Sequence, residues 1–285
     1  LSVEYLYLVA LLTGTLTVFF DVAYQSYLPV LVNRDQLVEG NGKLEVSRSV
    51  AQITGPGLAG GLVQVASAPV AMAIDAVSFA FSAFFLGLIR HTEPAKPPRT
   101  EKRNIWKEIG EGLGVVFGNP YLRSIAACTG TSNLFGNIGT AVFTLYVIRE
   151  LHLDAVLLGL IFGIGSVGAL IGAVMAGWTA RRLGVGWTII STSAIFGVGA
   201  LAAPLAGGPV WFIVFTLTAG FFISSWVNPV YNITQVSLRQ AITPHRLLGR
   251  MNASMRFLVW GTMPIGSLLG GFLGEVIGLR MTLLV

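Results

Sequence analysis

This sequence specifies an all-α protein built into a membrane. Of its 285 residues 54% are hydrophobic and only 11% charged, where a soluble domain carries ~25% charged residues. The apolar residues fall into runs long enough to cross a bilayer, which takes ~20 residues of helix. Lys and Arg gather in alternate connections between these runs, as they do at the cytoplasmic face of membrane proteins. The runs are too long, and too poor in strict alternation, for a β-barrel.

Eight full spans are expected, at 5–32, 48–66, 69–89, 122–148, 156–180, 186–205, 209–233 and 254–277, with a ninth beginning near 280. The connections at 33–48, 90–123, 181–182 and 239–256 hold 16 of the 18 cations; Arg149 and Arg280 are the other two. The asymmetry fits every loop of an eight-span zigzag, so it sets both the count and the orientation, basic side inward. It also accounts for the net charge of +5 without nucleic acid as a partner. A multi-pass integral membrane protein is expected.

The one long polar stretch, "RHTEPAKPPRTEKRN" at 90–104, reads as an extended linker. "IWKEIGEGLGVVF" follows it and has the pattern of an amphipathic surface helix. The chain therefore divides into a first bundle at 1–90, a cytoplasmic linker at 91–121 and a second bundle at 122–285. The two bundles repeat. Asn41, Gly55, Leu58, Gly60 and Leu62 match Asn252, Gly266, Leu269, Gly271 and Leu273 at a constant offset of 211. Upstream, Gly14 falls over Gly220, and a one-residue shift sets Asp21 over Asn228 and Tyr24 over Tyr231. A parallel repeat of membrane bundles is a mark of transporters.

Polar residues inside the spans are unevenly spread. The first span carries Asp21, Tyr24 and Gln25, the fourth Asn133 and Asn137, and the seventh Asn228, Tyr231 and Asn232. An Asn amide facing hydrocarbon is costly, so these faces meet water, a ligand or another helix. Tyr24, Gln25, Asn133, Asn137, Asn228, Tyr231 and Asn232 form the candidate substrate cavity. Asp21 and Asp75 are candidates for coupling to protons, because intramembrane carboxylates are costly and usually functional; a capping or packing role is the alternative for each. Three stripes of small residues suit close helix packing: Ala51, Gly55 and Ala59; Gly168, Gly172 and Ala176; Gly266, Gly270 and Gly274.

Catalytic chemistry finds little support. His91, His152 and His245 lie in separate loops, no metal-ligand spacing occurs, and the single Cys128 permits no disulfide within the chain and no thiolate cluster. No enzyme, cofactor or metal site is expected.

"GPGLAGG" following "NGKLEVSRSVAQIT" resembles the antiporter motif on the fifth helix of drug-exporting members of the major facilitator superfamily. Gly42, Gly55, Pro56 and Gly60 match it, and Ala51 and Ala59 stand where it has glycine. "GWTARRLG" resembles the superfamily's loop signature between the eighth and ninth helices, with Gly177, Arg181 and Gly184 fitting, Arg182 beside them, and the usual acidic residue absent. "FFDVAYQSYLPVLVNRDQLVEGNGKL" and "AIDAVSFAFSAFFLGLIR" are similar to the branch of enterobactin-type siderophore exporters and macrolide pumps. The resemblance implies a two-bundle transporter fold running from the fourth helix to the start of the twelfth, with three helices ahead of Leu1. It also implies a monomeric proton antiporter that exports small, partly apolar molecules by alternating access. An importer or uniporter of the same fold, or a non-transporting membrane subunit, are the alternatives.

Overall fold

The computed structural model describes residues 3–88 and 105–285; the side chains of some helical positions, Pro56 and Gly60 among them, and the linker residues 91–104 lie outside the described residues. Helices account for nearly all of it, with no strand among the described residues. In order they are α1 (Val3–Leu31), α2 (Leu37–Val65), α3 (Ala68–Gly87), α4 (Ile105–Gly118), α5 (Pro120–Arg149), α6 (Ala155–Leu183), α7 (Val185–Ala200), α8 (Ala202–Leu205), α9 (Val210–Ile242), α10 (Leu248–Trp260), α11 (Thr262–Val276) and α12 (Leu279–Thr282). Short 3-10 turns at Arg34–Gln36 and His245–Leu247 precede α2 and α10.

Five stretches among the described residues are long and apolar enough to cross a membrane: Pro69–Gly87, Val156–Leu183, Val185–Leu205, Val210–Ile242 and His245–Val276. The other three expected spans fall on α1, α2 and α5, of 29, 29 and 30 residues. At 1.5 Å per residue each is about 44 Å long.

Four boundaries differ from the sequence reading, each for a local reason. Helix α2 starts at Leu37, not 48, because its polar first half is packed: Val38 and Val46 sit against Ala173 and Ala176 of α6 and Val230 and Ile233 of α9. Helix α9 runs on to Ile242, not 233, because its polar residues share a buried face. The expected span 186–205 breaks at Leu201, and the span 254–277, which starts at Leu248, breaks at Gly261. Each break lies just after the residue four before a proline. Pro204 cannot donate to the Ala200 carbonyl, nor Pro264 to that of Trp260.

The 211-residue repeat is visible in the architecture. Helices α1 and α9 end at Leu31 and Ile242, the 3-10 turns begin at Arg34 and His245, and α2 and α10 begin at Leu37 and Leu248, each pair 211 apart. Leu37 and Leu248 are both fully buried. The register therefore continues unshifted into α1, setting Asp21 over Asn232 and Tyr24 over Gln235. The pairing with Asn228 and Tyr231 is off by about one helical turn.

Two small-residue stripes are seams. On α6, a β-carbon at Gly168 or Gly172 would strike the backbone of α9 at Phe222 and Trp226, and Ala176 is buried below them. On α11, β-carbons at Gly266 and Gly270 would strike the carbonyls of Leu134 and Ile138 on α5, and one at Gly274 would lie 2.8 Å from Val142. The third stripe differs: Ala51 and Ala59 are exposed, and a β-carbon at Gly55 meets nothing within 4 Å. The repeat explains why. The Gly266 stripe packs on α5, and the first half has no counterpart of α5 among the described residues.

Candidate functional site

A cavity of about 300 Å³ lies where α1 and α2 meet α5, α7, α9 and α10. Helix α9 supplies its main wall. Asn228, Asn232, Gln235 and Arg239 recur at intervals of four, three and four, so they share one face. Thr129, Ser132 and Asn133 come from α5, Thr192 and Ser193 from α7, and Asn252, Met255 and Arg256 from α10. Gln25 of α1 and Arg48 of α2 close it from the other half. A second, more apolar cavity of about 730 Å³ adjoins it through Ser132, Ser193, Phe196 and Asn228, with Phe135, Phe162 and Phe221 on its walls.

The amides on the wall form a chain. Gln235 Nε2 donates to Asn232 Oδ1 at 3.4 Å, and Asn232 Nδ2 donates to Asn228 Oδ1 at 2.9 Å. Asn133 Nδ2 reaches the Val259 carbonyl at 3.1 Å, and the Tyr231 hydroxyl is 2.6 Å from Thr129 Oγ1. Three buried polar atoms on this wall have no partner: Gln235 Oε1, Arg239 Nε and Asn252 Oδ1.

Near the basic end of the cavity, the halves are latched by a pair of equivalent hydrogen bonds. Asn41 Nδ2 of α2 donates to Ser237 Oγ of α9 at 2.9 Å; Asn252 Nδ2 of α10 donates to Ser26 Oγ of α1 at 3.1 Å. Asn41 and Asn252 are 211 apart, and so are Ser26 and Ser237. Each serine in turn donates to the carbonyl four residues back, Ile233 at 2.6 Å and Val22 at 2.7 Å. Asp21 of α1 adds an ion pair to Arg256 of α10 at 2.5 Å, and the Arg256 guanidinium lies over the Trp260 ring, 3.8 Å from its centre.

Of the residues proposed from sequence for the cavity, the structure brings together Gln25, Asn133, Asn228, Tyr231 and Asn232. Two stand elsewhere. Tyr24 is exposed and stacked on Phe20. Asn137 donates to the Asn133 carbonyl at 2.8 Å and packs by the Gly266 seam. Asp75 is exposed on α3 and is not among the residues that line the cavity. In the loop 177–184, Gly184 caps α6 with φ of 80°, a conformation that demands glycine, and the next residue begins α7. Arg181 and Arg182 occupy the last turn of α6, and Arg182 lies by the Trp178 ring. Gly42 is at the basic end of α2, where a β-carbon would meet nothing. There too, outside the apolar run, the Lys43 ammonium bonds Glu39 at 2.8 Å and holds its carboxyl below the ordinary value, with a smaller pull from Arg181.

Sequence reasoning missed Arg48, Gln235, Arg239, Asn252 and Arg256 as cavity residues. The cations were absorbed into the topology count. The available signal was the four-three-four spacing from Asn228 to Arg239.

Helix α4 forms where an amphipathic helix was expected. It docks on protein as well as presenting apolar residues outward. Gly112 lies against Ser254 and the Arg250 backbone, and Arg250 pairs with Glu108 and Glu111.

Two helical halves related by a repeat, meeting around a polar cavity inside a membrane, define the transporter class of fold. The chain belongs to the Major Facilitator Superfamily, whose profile matches residues 2–257. It is 27% identical to the multidrug efflux pump Tap of Mycolicibacterium fortuitum over 96% of its length, and 25% identical to the enterobactin exporter EntS of Citrobacter koseri over 97%. It spans 67% and 63% of those relatives, and 57% of the Tap pump of Mycobacterium tuberculosis, to which it is 28% identical. In fold it is similar to a bacterial homologue of the iron transporter ferroportin in the outward-facing state. The TM-score is 0.73 at 21% identity, covering 93% of this chain and 64% of that one.

Proposed function

We propose that this chain forms the substrate-bearing part of an exporter of small, partly apolar molecules that works by alternating access and is driven by proton exchange. The observation that carries the reading is the cavity itself. It takes residues from both halves, has an amide-lined wall, opens on an apolar annex, and is bordered near its basic end by equivalent bonds that join the halves. Parting Asn41 from Ser237 and Asn252 from Ser26 would expose it to the basic side. The kinship with pumps named for multidrug and enterobactin efflux supports the export direction.

Asp21 is the proton carrier in this reading. Its ion pair with Arg256 joins α1 to α10, and a proton on the carboxylate would remove the attraction that helps hold the latch.

The test is export of Nile red from energised cells expressing the full-length protein. Asn133→Ala with Asn232→Ala should slow efflux several-fold at unchanged expression, and an uncoupler should abolish it. Efflux unaffected by both substitutions would remove the cavity from the transport path.

A further inference from the structure

The three unpartnered atoms on the cavity wall differ from ordinary packing defects. Gln235, Arg239 and Asn252 are at most 7% exposed, all three line the same cavity, and each keeps a polar atom without a partner. Buried polar atoms are nearly always hydrogen-bonded, and a buried charge without a counter-ion is costlier still. Arg239 is the extreme case. Its guanidinium is permanently charged, and no carboxylate among the described residues pairs with it. The cavity's other cations differ: Arg256 is neutralised by Asp21, and Arg48 is largely exposed with Glu45 4.0 Å away. Among the described residues, Arg239 is thus the cavity cation with no carboxylate beside it. Position in the last turn of α9 offsets part of the cost through the helix dipole, but leaves Nε unfilled.

We propose that Arg239 anchors an anionic group of the transported molecule, a carboxylate or phosphate, while the carbonyl oxygens of Gln235 and Asn252 accept hydrogen bonds from its hydroxyl or amine groups. This rests on the reading of the cavity as the substrate site. The ligand is an amphiphilic anion. Its charged end lies at Arg239, and its apolar body passes Asn228 and Phe196 into the aromatic annex. Specificity follows: a neutral analogue forfeits the charge-assisted bonds and leaves the guanidinium as orphaned as in the empty site.

The probes are 6-hydroxy-2-naphthoate and its neutral methyl ester, with binding to the purified full-length protein followed by fluorescence. The wild type should bind the carboxylate at least ten-fold more tightly than the ester. Arg239→Gln should erase that preference while keeping ester affinity, and Arg239→Lys should retain much of it. Arg239→Gln should also melt no lower than wild type without ligand, since it removes an unpaired buried charge. Equal affinity of the wild type for both probes, a preference that survives Arg239→Gln, or a clear loss of stability in that variant would overturn the proposal while leaving the cavity a ligand site. Failure of the wild type to bind either probe would overturn the cavity reading and this proposal with it. Competition by phosphatidylglycerol would identify the anion as a lipid headgroup; its absence would identify a soluble one. Both support an anion site.

Discussion

Gln240 fills the place that Pro29 empties. Pro29 lies inside α1 and has no N–H, so the Gln25 carbonyl four residues back loses its helical donor. Gln240 Nε2 of α9 donates to that carbonyl at 2.6 Å, while its Oε1 accepts from Asn41 at 2.7 Å. Residues 29 and 240 are themselves 211 apart. The repeat has thus diverged at one pair of equivalent positions so that one half frees an acceptor and the other supplies the donor.

Replacing Gln240 by Leu should orphan the Gln25 carbonyl and weaken Asn41, costing ~1–3 kcal/mol. Adding Pro29→Ala restores a backbone donor to Gln25 and should recover part of the loss. Thermal melting of the two variants in detergent checks this; a double variant no more stable than Gln240→Leu would contradict the assignment.

The glycine seams make a second prediction. Gly172→Ala and Gly270→Ala push a methyl group against backbone on α9 and α5, and should each cost ~1–3 kcal/mol by overpacking. Gly271→Ala, the next position on α11, places its methyl where nothing lies within 4 Å among the described residues and should fold normally. Comparing the monodisperse yield of the three variants tests the difference, and equal losses in all three would refute it.

Asp21→Asn separates coupling from binding. An amide cannot exchange a proton at neutral pH, and it loses the charge that pairs with Arg256. In proteoliposomes the variant should bind substrate but lose accumulation driven by a pH gradient. Full gradient-driven accumulation would exclude Asp21 as the carrier.

Hydropathy is a record of what faces lipid, and that explains which parts of the molecule were legible. The apolar runs marked where α1, α3, α5 and α6 lie because their outward residues, such as Leu160, Ile164, Val167 and Ile171 on α6, remain exposed to the surroundings. The end of α9 escaped because Thr234, Gln235, Ser237, Arg239 and Gln240 are polar yet buried in the bundle. The breaks at Leu201 and Gly261 were readable in principle from Pro204 and Pro264. The amides of α5 and α9 were found in the sequence because Asn is rare and costly in such runs. Ser26 and Ser237 were passed over because a lone serine can satisfy itself on its own helix; only the register of the repeat shows that they pair with Asn252 and Asn41.

The central claim is that the latch between equivalent Asn and Ser residues closes the cavity toward the basic side. Accessibility of a cysteine at 232 tests it most directly, in a full-length protein lacking Cys128. A pair of further cysteines at 41 and 237 serves to lock the latch by a reversible disulfide. With the lock oxidised, an impermeant thiol reagent applied from the basic side should fail to label position 232. After the lock is reduced, labelling from that side should appear and transport should resume. Labelling from the basic side at the same rate with the lock closed would contradict the account.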